Sequence, residues 1–243
     1  MSSPIAPLLE LPEVEPALAA ARSAVDAALR HRALRRSGGT LAAELGLRSA
    51  VASASLEGHA YELDDVRAGT VTDPVVQGAL RVSAALDSLA ATWRTAPRQV
   101  LAKLHVLAAS GSLPPSSLGR PLSSEVAPRL GALCDLIAAP PLGAPAVLRA
   151  SVVHGELLAL RAFDGPNGVV ARGAARLTLI ADGLDPRGLL APELGHVERE
   201  PEYVGSSNAF ATGTPDGVRS WLRHCATAVE IAAARLSSLA DAL

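Results

Sequence analysis

Arg161-Ala162-Phe163-Asp164-Gly165-Pro166-Asn167-Gly168-Val169-Val170-Ala171-Arg172 is the stretch on which the fold turns. Asp164 to Gly168 reads as a tight turn between two helices, because Gly, Pro, Asn and Asp each suit turn conformations for their own reasons. The helix before it runs from Ala146 to Arg161, with Leu148, Val152, Leu157, Leu158 and Leu160 apolar. The helix after it runs from Val169 to Leu184 and is stopped by Gly183 and Pro186. A turn of this kind exposes backbone N–H groups, and the following helix adds the positive end of its dipole. Together these suit an anion such as phosphate. Arg161 and Arg172 flank the turn and can reach the same space, where guanidinium groups pair well with phosphate oxygens. Without such a ligand the stretch is an ordinary αα-hairpin with surface arginines.

Outward from this hairpin the chain is helix after helix, punctuated by Gly and Pro. A first helix is expected over Val14 to Arg36, with Leu18, Ala21, Val25, Ala28 and Leu29 at helical spacing and Ser37-Gly38-Gly39 as its stop. Thr40 then caps a helix to about Ser55, and Glu57-Gly58 breaks the pattern. Asp73-Pro74 starts a helix to about Arg94, and Pro97 to Ser110 forms the next. Gly111 to Pro128 is a loop, followed by a short helix through Leu130, Leu133 and Leu136. An irregular stretch follows Pro186, and Asp216 caps a last helix carrying Trp221, Leu222, Val229, Ile231 and Leu236. No period of repeats emerges. The fold class is all-α with at most a minimal β-hairpin. The organisation is an N-terminal helix over 1–39 and one continuous helical domain over 40–243.

The composition agrees. Of 243 residues 49% are hydrophobic but only 2% aromatic, so Ala, Leu and Val must build the core. A net charge of -2 gives no general attraction to nucleic acid or to anionic membrane, and neither is expected as a partner. The basic cluster Arg30, Arg32, Arg35 and Arg36 reads as a solvated helix end. Cys134 and Cys225 stand alone, which suits buried thiols in a reducing cytoplasm. Met1-Ser2-Ser3-Pro4 begins no signal peptide, and no apolar window is long enough to span a membrane. His31, His59, His105, His196 and His224 show no ligand spacing and read as surface or locally hydrogen-bonded residues.

The turn resembles the Fic (Fido) motif, HPFx(D/E)GNGRxxR, aligned without a gap. Phe163, Asn167, Gly168 and Arg172 match it. His154 stands where family members often carry an upstream histidine, and Trp221 is similar to a common family feature. Ser53-Ala54-Ser55-Leu56-Glu57-Gly58 resembles the family's inhibitory helix motif, which ends in Glu followed by Gly or Asn. That helix corresponds to about 40–58. The resemblance implies a Fic-like bundle and a site for ATP or another nucleotide with Mg²⁺. It assigns Phe163, Asn167, Gly168 and Arg172 to ligand binding, and Ser53, Glu57 and Gly58 to inhibition. The inhibitory glutamate in the family pairs with the second motif arginine and blocks the nucleotide's γ-phosphate, so an ion pair between Glu57 and Arg172 is expected.

The departures bear on chemistry. The family's motif histidine is a general base, and Arg161 stands in its place. A guanidinium stays protonated and offers no acceptor lone pair. The acidic residue that binds Mg²⁺ is replaced by Gly165, with Asp164 one position early, so no metal ligand is assigned. Pro166 replaces the first motif glycine and removes an N–H, and Val169 replaces the first arginine. No catalytic residue is assigned, although Arg161 and Asp164 are the candidates nearest the chemistry. Three functions follow from these features. The first is a non-catalytic nucleotide- or phosphate-binding regulator with a protein partner. The second is a residual AMP- or phospho-transferase acting on protein hydroxyls, and the third is a structural interaction module.

Overall fold

A computed structural model describes residues 3–242, and the side chains of these except 35–37. The exposure expected of Arg35 and Arg36 and the reading of Met1-Ser2 lie outside the described residues. Eleven α-helices are present among the described residues: α1 (Val14–Leu29), α2 (Leu34–Ser55), α3 (Leu63–Arg67), α4 (Pro74–Trp93), α5 (Pro97–Ala109), α6 (Ala127–Ala138), α7 (Ala146–Leu160), α8 (Asn167–Ala181), α9 (Pro192–Glu198), α10 (Glu200–Ala211) and α11 (Pro215–Asp241). Short 3-10 turns cover Ala6–Glu10 and Ser124–Val126. No strand forms among the described residues, and the only β feature is an isolated bridge between Ser110 and Leu113.

The hairpin of α7 and α8 is the spine. Most residues of both helices are buried and none is exposed, as expected of helices enclosed by others on several sides. One core half forms where α4, α5 and α6 cover α8, with Trp93, Leu101, Leu104, Ile137 and Phe163 inside. The other forms where α1, α10 and α11 cover α7, around Trp221, Leu148, Leu222 and Leu236. With so few aromatic residues, close helix approach replaces bulk. A Cβ on Gly78 would overlap the Ala108 carbonyl where α4 crosses α5, and one on Gly195 would lie 2.5 Å from the Ala228 carbonyl where α9 crosses α11. Many of the polar groups inside are partnered across helices, although Arg149 Nη1, Arg176 Nε, Glu193 Oε2 and His224 Nδ1 find no partner among the described residues. Arg149 in α7 donates to Asp182 at 2.6 Å and to the carbonyls of Ile137 and Ala139, tying the ends of α6 and α8 together.

Several boundaries differ from those expected. The first helix ends at Leu29, and α2 runs straight through Gly38-Gly39, so the expected stop and division after Gly39 fall inside a helix. Two interior glycines cost about 1 kcal/mol each, but Leu34, Leu41 and Leu45 are buried on the same helix face and outweigh that cost. The real break is organised by His31, whose Nδ1 accepts the Ala33 N–H while Nε2 meets Asp241. Helix α8 begins at Asn167 and ends at Ala181, not over Val169 to Leu184. Thr214, not Asp216, caps α11 through Gly217 N–H. Helices α9 and α10 lie in the stretch read as irregular, and α3 lies between Gly58 and Asp73, where the sequence predicts no element. Of the histidines read as surface or hydrogen-bonded residues, His105, His196 and His224 are buried and hydrogen-bonded. The Asp73-Pro74 start is as expected, with Asp73 Oδ1 accepting the N–H groups of Val75 and Val76. None of the described helices is long and apolar enough to cross a membrane.

Gly78→Ala is expected to destabilise the fold by about 1–3 kcal/mol, because overpacking at a backbone crossing outweighs helix propensity. Gly205→Ala, exposed in α10 with nothing within 4 Å, is expected to stabilise it by up to about 1 kcal/mol. Urea unfolding of both variants checks the contrast.

Candidate functional site

Arg172 sits in the second turn of α8 with 2% of its side chain exposed. A buried guanidinium must have its donors satisfied, and here they are. Nε donates to Ser53 Oγ (2.9 Å), Nη2 to Ser53 O (2.8 Å) and to Glu57 Oε1 (2.8 Å), and Nη1 to the Tyr203 hydroxyl (3.0 Å). The expected Glu57–Arg172 ion pair is present, with 23% of the Glu57 side chain exposed. Ser53 meets the same guanidinium twice. Gly58, at φ 87°, ends α2 in a Schellman turn: its N–H reaches the Ser55 carbonyl and the His59 N–H reaches that of Ala54. That turn holds Glu57 at the helix end, and its carboxylate lies directly over Gly168. A Cβ on Gly168 would overlap Glu57 Oε1, so glycine there is what admits the carboxylate.

The motif loop is clamped from within and below. Asn167 Oδ1 accepts the Phe163 N–H and Nδ2 donates to the carbonyls of Phe163 and Gly165. The Asn167 amide is therefore occupied within the loop. Phe163 is buried and stacks on His105, with ring centroids 4.7 Å apart. His105 Nδ1 accepts the Gly119 N–H, so Nε2 carries the proton and donates to the Asp164 carbonyl at 2.8 Å. The Leu122 N–H pins Ala162 from the side. The turn exposes fewer donors than its composition suggests: the N–H groups of Phe163, Gly165 and Asn167 are used internally. Among the described residues, no acceptor pairs with those of Gly168 and Val169, which open α8.

Beside this loop lies a cavity of about 710 Å³. Arg161, Glu57 and Arg172 are its only charged lining residues. Gly168 lies at its floor, and Tyr203, Ser207 and Asn208 of α10 form its far wall. Arg161 is exposed and caps α7 in the left-handed region, φ 44° and ψ 52°, where a non-glycine residue costs roughly 1–2 kcal/mol. Asp164 is exposed, does not line the cavity, and turns Oδ1 to the Gly165 N–H at 2.9 Å. Residues fitted to Mg²⁺ would present carboxylate oxygens to the cavity. Gly165 has none, Asp164 faces its own loop, and Glu57 is held by Arg172, so this lining does not fit the metal.

Sequence reasoning did not bring Tyr203 or His105 to the site. Tyr203 accepts from Arg172 and meets His154 Nε2 at 3.1 Å. His154 thus stands behind Tyr203, itself bonded to Arg172. It adjoins a buried group of His196, His224 and Trp221, in which His196 Nδ1 meets His224 Nε2 at 3.0 Å. Burial pushes His154 and His196 well below the ordinary histidine range, and the charge of Arg172 adds to it. Burial also lowers His224, to about 4, and His105.

No protein-family sequence model matches the chain, and no curated protein matches it in sequence. Solved structures do. A Fic family protein from Desulfovibrio desulfuricans superposes with a TM-score of 0.74 at 18% identity, covering 92% of this chain and 75% of that one. Fic-1 from C. elegans gives 0.68 at 17%, covering 94% and 73%, and a variant of it gives 0.70 at 18%, covering 94% and 73%. At these identities the likeness establishes the fold: the chain has the all-helical Fic fold.

All four of these histidines are neutral when folded and free to protonate when unfolded. Their contribution is full above the unfolded pKa of 6.5 and is lost as pH falls below it. By pH 5 His224 alone is expected to remove about 2 kcal/mol of stability. Urea unfolding at pH 7.5 and pH 5 checks this; equal midpoints would mean that the histidines are solvated.

Proposed function

We propose that this chain is a nucleotide- or phosphate-binding regulatory domain of the Fic fold. In this reading the Glu57–Arg172 pair is a latch over the ligand site, and the usual transfer chemistry is lost. The observation that carries it is the position of the Glu57 carboxylate, an anion resting over Gly168 at the start of α8 and paired to a buried arginine. That is where the dipole and the two unpaired N–H groups favour a phosphate. A bound phosphate and the carboxylate compete for the same positive charge, so the latch holds affinity low until a partner draws the end of α2 away. The cavity volume falls within the range of small-molecule sites.

Loss of transfer chemistry follows from Arg161, which takes the place of a proton acceptor and has none of its own. Asp164, the other candidate, faces its own loop, which weakens the alternative of a residual transferase. Two buried, unpaired thiols, Cys134 and Cys225, suit a reducing compartment such as the cytoplasm.

Glu57→Gln keeps the shape and removes the charge. The variant is expected to bind ATP about tenfold or more tightly than the unaltered protein, as removal of a competing ion pair implies, with calorimetry as the measurement. Neither protein is expected to transfer label from ATP to proteins of a lysate. Absence of nucleotide binding in both proteins would leave only the structural-module reading, and labelled protein would restore the transferase.

A further inference from the structure

We infer that the cavity holds its phosphorylated ligand without a divalent metal, the guanidinium of Arg161 supplying the charge that a metal would otherwise bring. This rests on the preceding reading that the site takes a phosphate-bearing ligand.

The charges lining the cavity carry the inference. They are two arginines and one glutamate. The glutamate is committed to Arg172 at 2.8 Å, and it must leave for a phosphate to approach Gly168. Once it leaves, the lining carries two positive charges and no carboxylate. A hard divalent cation takes oxygen ligands, chiefly carboxylates. Here it would find no free carboxylate from the protein and would face two guanidinium groups. The same lining suits a ligand carrying several negative charges.

Arg161 has the properties this role needs. It is exposed on the cavity rim, and among the described residues no hydrogen bond or ion pair engages its side chain. It occupies a left-handed position, φ 44°, that Gly or Asn would take at lower cost. A strained residue at a site is a pointer to function when the strained side chain faces the ligand space. Guanidinium stays charged at any working pH and can bind two phosphate oxygens at once. The dipole of α8 and the N–H group of Gly168 approach the same ligand from the floor.

A consequence separates this arrangement from a metal-assisted one. Mg²⁺ bound to a nucleotide occupies the oxygens that Arg161 would take and cancels part of the ligand's charge. Free nucleotide is therefore expected to bind at least as tightly as its magnesium complex.

Calorimetry of the full chain carrying Glu57→Gln, with ATP and with tripolyphosphate, in excess EDTA and in excess Mg²⁺, tests this. Equal or tighter binding in EDTA supports the inference, as does a loss of about tenfold to a hundredfold on adding Arg161→Asn. Asn tolerates the left-handed backbone, so that variant removes the charge without endangering the fold. Arg161→Lys is expected to restore part of the affinity, and Asp164→Asn to leave it unchanged. Binding that is lost on chelation, or that is indifferent to Arg161→Asn, overturns the inference while leaving the nucleotide site itself in place. Absence of binding under every condition would instead remove the reading on which the inference rests.

Discussion

A charged guanidinium enclosed by helices is stable only when its donors are met, and Arg172 meets this demand with groups from two distant parts of the chain. Ser53 and Glu57 come from the end of α2, Tyr203 from α10, and the arginine itself from α8. Each of these elements is thereby held to the start of α8. Removing any one partner leaves part of a buried charge unsatisfied, which costs more than the bond itself contributes. The same constraint places Arg172 between the end of α2 and the cavity.

The loop between α7 and α8 is rigid for a related reason. Its short polar turn cannot bury much apolar surface, so it closes on itself through Asn167 and is anchored underneath by Phe163 on His105. This leaves few free donors, and those that remain belong to the first turn of α8. In the proposed function, phosphate recognition depends on the helix end and on the arginines more than on a cradle of loop amides. The left-handed Arg161 follows from this geometry, since the helix must turn sharply there to enter the loop.

The buried imidazoles form the other polar layer. They stand behind Tyr203 and give α7, α9, α10 and α11 a shared set of neutral hydrogen-bonding groups in a core with few aromatic residues. Their neutrality suits their neighbour, because a second buried positive charge beside Arg172 would repel it. Burial holds the imidazoles neutral, whereas Arg172 keeps its charge against the same burial through Tyr203 and Glu57.

Much of this was legible in the residues alone. Apolar spacing located α4, α5, α6, α7 and most of α8 and α11, since amphipathic helices write their buried face into the chain. The Asp164–Gly168 turn and the Glu57-Gly58 helix end follow from the backbone preferences of Gly, Pro and Asn, and the pairing of Glu57 with Arg172 followed from motif resemblance. What required the tertiary structure was every feature set by contacts distant along the chain. Helix α2 passes through two glycines because Leu34, Leu41 and Leu45 are covered by other helices. Helix α10 lacks a clear apolar face and is held by packing, so Tyr203 had no local signal. His105 becomes a buried link between Gly119 and Asp164 only when α5 meets the loop. Local sequence sets which backbone conformations are cheap, whereas burial and the satisfaction of buried polar groups are sums over the whole fold.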